Sequence, residues 1–186
     1  MTNENIKIED NFLRHRDFTE IQDFIMSKES CLTKMPWFYN QLLEYVDRPD
    51  ACSDPDQFHF FHLFYLAGTP QSPYMNDLTP IIQKIDPFSI WRIKANLFTR
   101  TPNVMEFDFH TDVPDLEDSP EKMKQWTTSI FYMNTNDGYT RFEDGTKVES
   151  VSNRYVSFPA YMKHSGTTCS NEKTRVTVNF NYFNKI

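Results

Sequence analysis

The chain has 186 residues, of which 39% are hydrophobic and 24% charged. That balance excludes a disordered or fibrous protein and suits one globular domain spanning residues 1–186. Lys and Arg number 19 against 26 Asp and Glu, so the net charge of −7 argues against gripping nucleic acid or an anionic membrane by bulk charge.

Residues 1–10 are polar and acidic and do not resemble a signal peptide, and no run approaches the roughly 20 apolar residues of a membrane span, so the expected compartment is the cytoplasm. In the first half the apolar positions Phe18, Ile21 and Ile25 recur at helical spacing. Asp17 with Glu20 reads as a capping box, which predicts a helix starting at Asp17 and running to 26. A second helix is expected over 38–46 and a polar loop over 47–57. The aromatic run 58–66, closed by Ala67-Gly68-Thr69-Pro70, predicts a strand, and 75–85 a third helix stopped by Pro87. His59 and His62 lie three apart, on opposite faces of such a strand, and are expected to be packed side chains rather than metal ligands.

From residue 89 onward the pattern is all-β. Strands are expected over 89–98, 104–110, 127–134, 139–142, 146–149, 154–158 and 174–183, separated by turns such as Asn136-Asp137-Gly138 and Asp144-Gly145. Seven short strands with regular turns suggest a sandwich or barrel, with the helical half (1–88) packed on one face of a β core (89–186). The last strand alternates sharply. Val176, Val178, Phe180 and Tyr182 point to one face and read as core; Arg175, Thr177, Asn179 and Asn181 point to the other, which is either solvent or a polar cavity.

Three widely spaced cysteines (Cys31, Cys52, Cys169) form no CxxC pair, which disfavours a disulfide framework or a cysteine zinc site. With only 4 glycines, no phosphate-cradling loop of the GxxxxGK[ST] or GxGxxG type occurs. The chemistry-bearing motif is Phe109-His110-Thr111-Asp112. Residues two apart on a strand share a face, so His110 and Asp112 can reach one ion, and an imidazole with a carboxylate suits Fe(II), Mn or Zn. A distant third ligand would complete a facial triad, and His164 is the later histidine. His15-Arg16-Asp17 is the same triplet by chance, with Asp17 expected to serve the helix end.

Around that motif stand Thr-Ser-Ile-Phe-Tyr-Met-Asn (128–134), Asp-Gly-Tyr-Thr-Arg-Phe (137–142), Asn-Arg-Tyr-Val-Ser-Phe-Pro (153–159), His164-Ser165-Gly166 and Arg-Val-Thr-Val-Asn (175–179). In this order, over residues 89–186, they resemble the prolyl-4-hydroxylase-like Fe(II)/2-oxoglutarate-dependent dioxygenases. The resemblance implies an α+β, mainly β fold: a double-stranded β-helix (jelly-roll, cupin-like) core with N-terminal helices on one face. It implies that His110, Asp112 and His164 hold Fe(II), that Arg175 pairs with the distal carboxylate of 2-oxoglutarate, and that Tyr132 contacts the same carboxylate. Asn96 or Phe98 occupies the strand where the family often has a tyrosine near the metal-bound end of that cosubstrate. The family's Gly-Gly before Thr-x-Phe is Gly138-Tyr139 here, and the Gly of its Gly-Arg is Asn153, a residue that tolerates positive φ.

The implied activity is hydroxylation with O2, converting 2-oxoglutarate to succinate and CO2. The primary substrate, a protein prolyl residue, an amino acid or another small molecule, is not readable from the sequence; selectivity is expected in 69–76 and the acidic segment 113–124. Two alternatives stay open: a cupin-like Zn or Mn enzyme that does not use 2-oxoglutarate, and a non-catalytic jelly-roll binding module.

Overall fold

The computed structural model describes residues 4–27, 34–41, 58–112 and 124–184. The expected loop over 47–57 and nearly all of the acidic segment 113–124 lie outside them.

Two antiparallel sheets make up the fold. The larger has eight strands in the order β1 (Lys7–Glu9), β9 (Arg154–Pro159), β6 (Trp126–Tyr132), β11 (Thr174–Phe183), β5 (Ser89–Thr99), β3 (His59–Leu66) and β2 (Phe38–Asn40), with β4 (Thr69–Pro70) also on β3. The smaller has β10 (His164–Ser165), β7 (Tyr139–Phe142) and β8 (Lys147–Glu149). This is the mainly β jelly-roll expected, with two helices among the described residues, α1 (His15–Met26) and α2 (Thr79–Ile85). Strands from both halves of the chain share the large sheet: β1 pairs with β9, and β3 with β5.

Each face of the large sheet meets a different partner, and the strand alternation decides which side chains go where. Val176, Val178 and Phe180 of β11 join Ile93 and Ala95 of β5 and Phe131 of β6 in one apolar core. The helices close it with Phe18, Ile21 and Ile25 of α1 and Ile81 of α2. Full burial of one such side chain contributes about 2 kcal/mol, so α1 is held by its apolar stripe rather than by its caps. The opposite face of the large sheet looks toward the small sheet. There Ile130, Tyr132, Val156 and Phe158 pack with Phe142 and Val148.

Several sequence expectations are corrected. Helix α1 begins at His15 with Arg14 as its N-cap and no side-chain cap bond; Asp17 sits inside the first turn and pairs with Arg14 at 3.1 Å. The entry is fixed by tertiary contact instead, because Asn153 accepts a hydrogen bond from Leu13 N and donates one to Leu13 O, both 2.9 Å. Asn153 has φ 62°, so it supplies the left-handed turn expected of it and also tethers the helix. The helix expected over 38–46 is strand β2 at Phe38–Asn40, paired with β3; positions 42–46 lie outside the described residues. Residues 75–78 form a 3-10 turn ahead of α2 rather than its first turn. The strand expected over 104–110 reduces to isolated bridges, Glu106 to Thr167 and His110 to His164, beside the small sheet.

Candidate metal centre

His110 N donates to His164 O and His164 N to His110 O, each at 3.0 Å, so a single bridge fixes the two histidines side by side. Their rings lie 4.7 Å apart. Asp112 completes the group: Oδ1 is 3.8 Å from His110 Nε2 and Oδ2 is 4.0 Å from His164 Nε2. The three ligand atoms all lie within 4.8 Å of one another, close enough for one ion. The structure thus brings together the three residues singled out from the sequence, while His15 and Asp17 stay on the surface helix α1.

The donor chemistry fits a divalent metal. His164 is buried and packs against Phe158 at 4.8 Å. Its Nδ1–H donates to Met162 O at 3.2 Å, which leaves Nε2 as the deprotonated nitrogen. That Nε2 is buried and has no hydrogen-bond partner among the described residues. A buried acceptor left unmade costs about 1–3 kcal/mol, and an ion bound to Nε2 would remove that cost. Burial first and His110 second lower the His164 pKa to about 4, so the ring is neutral at pH 7, as a ligand must be. For Asp112, burial pushes the pKa up, but Arg92, His164, His110 and the Asn181 hydrogen bond together outweigh it and hold the carboxyl below its ordinary range. It is an anion across the physiological range.

Arg175 lies six residues before Asn181 on the same face of β11 and is 2% exposed. Its Nε donates to Ser150 Oγ at 2.8 Å, Nη2 to Thr140 Oγ1 at 3.2 Å and Nη1 to Thr167 O at 3.4 Å. All three are neutral acceptors, and no ion pair neutralises the guanidinium among the described residues, although burial favours its uncharged form. Tyr132 is fully buried beside it, its ring 5.7 Å from Arg175 Cζ and its hydroxyl donating to Thr140 Oγ1 at 2.8 Å. Phe98 is directly opposite Arg175 in the β5–β11 pairing and Asn96 opposite Thr177, so both belong to the same inner face. Phe98 stacks between His59 (5.6 Å) and Phe107 (5.3 Å) and forms an apolar wall there. The alternative left open for β11 is settled: Arg175, Thr177 and Asn181 are buried and line the space between the sheets.

Gly138 makes room for Arg175. A Cβ at that position would sit 2.6 Å from Arg175 Cδ and 2.6 Å from Thr168 O. Contact with the backbone oxygen is relieved only by a shift of the backbone, and contact with Cδ displaces the Arg175 chain. Gly138→Ala is expected to cost about 1–3 kcal/mol of stability, as overpacking does, and to weaken binding of an anion at Arg175. Chemical denaturation and anion titration of the same variant check both.

The inner face also holds Arg92, which belongs to no motif of the sequence, beside Asn181 of the polar face of β11. Arg92 Nη2 is 2.9 Å from Asp112 Oδ1, and Asn181 Nδ2 donates to Asp112 Oδ2 at 3.1 Å. The signal was available: β5 carries Arg92, Lys94 and Asn96 at every second position, the same alternation that drew attention to β11.

His59 and His62 are packed, as expected. His62 donates from Nδ1 to Pro36 O (2.7 Å) and accepts at Nε2 from Ser72 Oγ (2.8 Å). His59 is 1% exposed with Nδ1 unpartnered; burial first and Lys94 second lower its pKa to about 3. A histidine whose folded pKa lies below the unfolded value near 6.5 stabilises the fold fully above pH 6.5, and that contribution is lost as pH falls toward the folded pKa. With about 1.4 kcal/mol per pKa unit, His59 and His164 are each expected to cost the metal-free protein roughly 2–3 kcal/mol between pH 7 and 4.5. His59→Phe keeps the stack on Phe98 and should remove one of those two losses, read as a shallower fall in denaturation midpoint with acid.

The sequence matches no family model and none of the curated proteins. In structure the chain is similar to a prolyl hydroxylase from Trichoplax adhaerens, solved with a peptide fragment of the hypoxia inducible factor oxygen degradation domain. The TM-score is 0.64 at 13% identity, covering 98% of this chain and 84% of that one. A viral collagen prolyl hydroxylase from Paramecium Bursaria Chlorella virus-1, solved with 2OG, matches at TM-score 0.57 and 13% identity over 96% of both chains. An oxidoreductase of the 2OG-Fe(II) oxygenase family from Burkholderia pseudomallei matches at 0.63 and 8% identity, over 96% of this chain and 85% of that one. At these identities the likeness is one of fold, and the fold of this chain is that of the prolyl hydroxylases and 2OG-Fe(II) oxygenases.

Proposed function

We propose that this chain is a single-domain Fe(II)- and 2-oxoglutarate-dependent dioxygenase that hydroxylates a peptide or small-molecule substrate. The observation that carries the reading is the pairing of two incomplete sites on one inner face. One is a His–Asp–His group whose buried Nε2 has no partner among the described residues; the other is a buried Arg175 that, among those residues, is held by neutral acceptors. A metal completes the first and a carboxylate the second, and 2-oxoglutarate is a small dianion able to satisfy both at once.

In this reading His110, Asp112 and His164 hold the iron facially, leaving cis positions for the cosubstrate and O2. Iron with 2-oxoglutarate and O2 supplies the oxidising power for an unactivated C–H bond, with succinate and CO2 released. Arg175 takes the distal carboxylate through its guanidinium fork, an always-charged donor. Thr140 and Ser150 fix the plane of that fork, and Tyr132 closes the same end. Asn96, two residues from Phe98 on β5, is the polar side chain placed to face the metal-bound end of the cosubstrate. Phe98, Phe107 and Phe158 keep the cavity dry. No helix among the described residues is long and apolar enough to cross a membrane, and we place the protein in the cytoplasm.

The test is an anaerobic titration of metal-free protein with Fe(II) and 2-oxoglutarate, watching for the weak visible charge-transfer band of the chelate. The band should require both components and vanish in His110→Ala. Metal binding without any 2-oxoglutarate-dependent band would overturn the reading in favour of a cupin-like Zn or Mn enzyme. Absence of metal binding would leave a binding module. Which substrate is hydroxylated would then be sought as stimulation of succinate formation by prolyl peptides against free amino acids.

A further inference from the structure

Arg92 and Asn181 face each other in the β5–β11 pairing, and both reach Asp112. Arg92 Nη2 engages Oδ1 at 2.9 Å and Asn181 Nδ2 engages Oδ2 at 3.1 Å. The two donors are also joined to each other, Arg92 Nε to Asn181 Oδ1 at 3.0 Å, and Asn181 Nδ2 is shared with Thr128 Oγ1 at 3.1 Å. Each carboxylate oxygen therefore has its own donor, and Asp112 cannot rotate without breaking a connected set of bonds.

The donors differ in one property. Asn181 is neutral, whereas Arg92 is a guanidinium cation. Outer partners of histidine ligands usually accept a hydrogen bond and make the ligand more basic, whereas a ligating carboxylate can only receive one. Arg92 acts in the opposite sense. It draws charge away from the only anion of the ligand group and sets a cation close to where a dication would sit. A metal held under those conditions is bound less tightly but attracts an anionic cosubstrate more strongly.

We propose that Arg92 is a positioning residue that fixes Asp112 and, through its charge, restrains metal affinity in favour of binding an anionic cosubstrate, while Asn181 only orients the carboxylate. The proposal rests on the reading of His110, Asp112 and His164 as metal ligands. It requires that replacing the two donors move metal affinity in opposite directions.

Mn(II) binding to the metal-free protein, followed by the electron paramagnetic resonance signal of the free ion, tests this without turnover. Arg92→Gln keeps a donor and removes the charge; it should bind Mn(II) about tenfold more tightly and make the Mn(II)-loaded protein bind 2-oxoglutarate several-fold more weakly, on the scale of outer-partner effects. Arg92→Lys should stay within about threefold of the unaltered protein on both measures, and Asn181→Ala should bind Mn(II) about tenfold more weakly. If Arg92→Gln does not fold by thermal denaturation, Arg92→Asn, also a neutral donor, carries the same expectation. A charge-removing variant that binds Mn(II) equally or less tightly overturns the proposal, because a purely structural role loosens the site in all these variants. If instead His110→Ala binds Mn(II) as well as the unaltered protein does, the metal-site reading fails and takes the Arg92 proposal with it.

Discussion

His164→Leu is expected to abolish turnover and lower divalent-metal affinity by at least about a hundredfold, while leaving the metal-free protein as stable as before or more so. The two halves of this result have different causes. In the proposed metal site the ligand loss is direct: Nε2 would be one of three donors, on the more deeply buried of the two histidine side chains, at 2% exposure against 26% for His110. The stability gain comes from what the ring costs without metal. It buries an unmade acceptor among Phe142 and Phe158, and leucine fills similar volume with no polar atom to desolvate. Removing that orphan returns about 1–3 kcal/mol, against the lost Nδ1 bond to Met162 O, worth about 1 kcal/mol. His110→Leu should lose metal as severely but gain little stability, because that ring is partly solvated. Metal titration and urea denaturation of both variants check the contrast; a stability loss in His164→Leu equal to a core cavity mutation would mean that the ring is structural.

The strand alternation on which the site depends was legible wherever a strand is covered on both sides by its own sheet neighbours. β11 is predicted to the residue, 174–183, and its polar and apolar positions separate without exception over 175–182. The metal group was legible because HxD on one segment and a distant histidine form an ordered pattern, even though 104–110 is not a regular strand. Its backbone nevertheless bonds to Gly166 and His164, which keeps His110 on the inner face. The failures share a physical cause, namely stabilisation by partners far away in sequence. The 38–46 segment has helical periodicity, but Phe38–Asn40 pairs with β3, and the rings of Phe38 and Tyr39 pack against those of Phe61 and Phe60 across that edge. The start of α1 is set by Asn153, some 140 positions away, and no local capping pattern encodes it. Arg92 escaped notice because a single arginine on a strand usually marks a solvated face. Only the pairing of β5 with β11 turns its alternation into a second polar wall.

Arg175→Met is the second large effect, and it separates binding from folding more sharply still. The guanidinium is 2% exposed and pairs with no acid among the described residues, so the fold carries its charge at a desolvation cost of several kcal/mol. Methionine of similar length fills the channel beside Gly138 and Phe98 without that cost. Against this gain stand Ser150 Oγ and Thr167 O, which lose a donor; Thr140 Oγ1 keeps the Tyr132 hydroxyl. At about 1–3 kcal/mol per buried unmade group, the losses and the gain nearly cancel, and the metal-free variant should unfold within about 1–2 kcal/mol of the unaltered protein. Binding has no such cancellation. Truncating one partner of a buried, hydrogen-bonded charge pair costs about 2–5 kcal/mol, so the affinity for 2-oxoglutarate should fall by roughly 30-fold or more, with metal affinity alone unchanged because Arg175 touches none of His110, Asp112 and His164. The diagnostic readout is the stabilisation that 2-oxoglutarate gives to Mn(II)-loaded protein in thermal unfolding: present in the unaltered chain, absent in Arg175→Met at the same concentration, and partly restored in Arg175→Lys, which keeps the charge but not the fork. An Arg175→Met variant that keeps the full 2-oxoglutarate shift would show that the distal carboxylate is held elsewhere on this face.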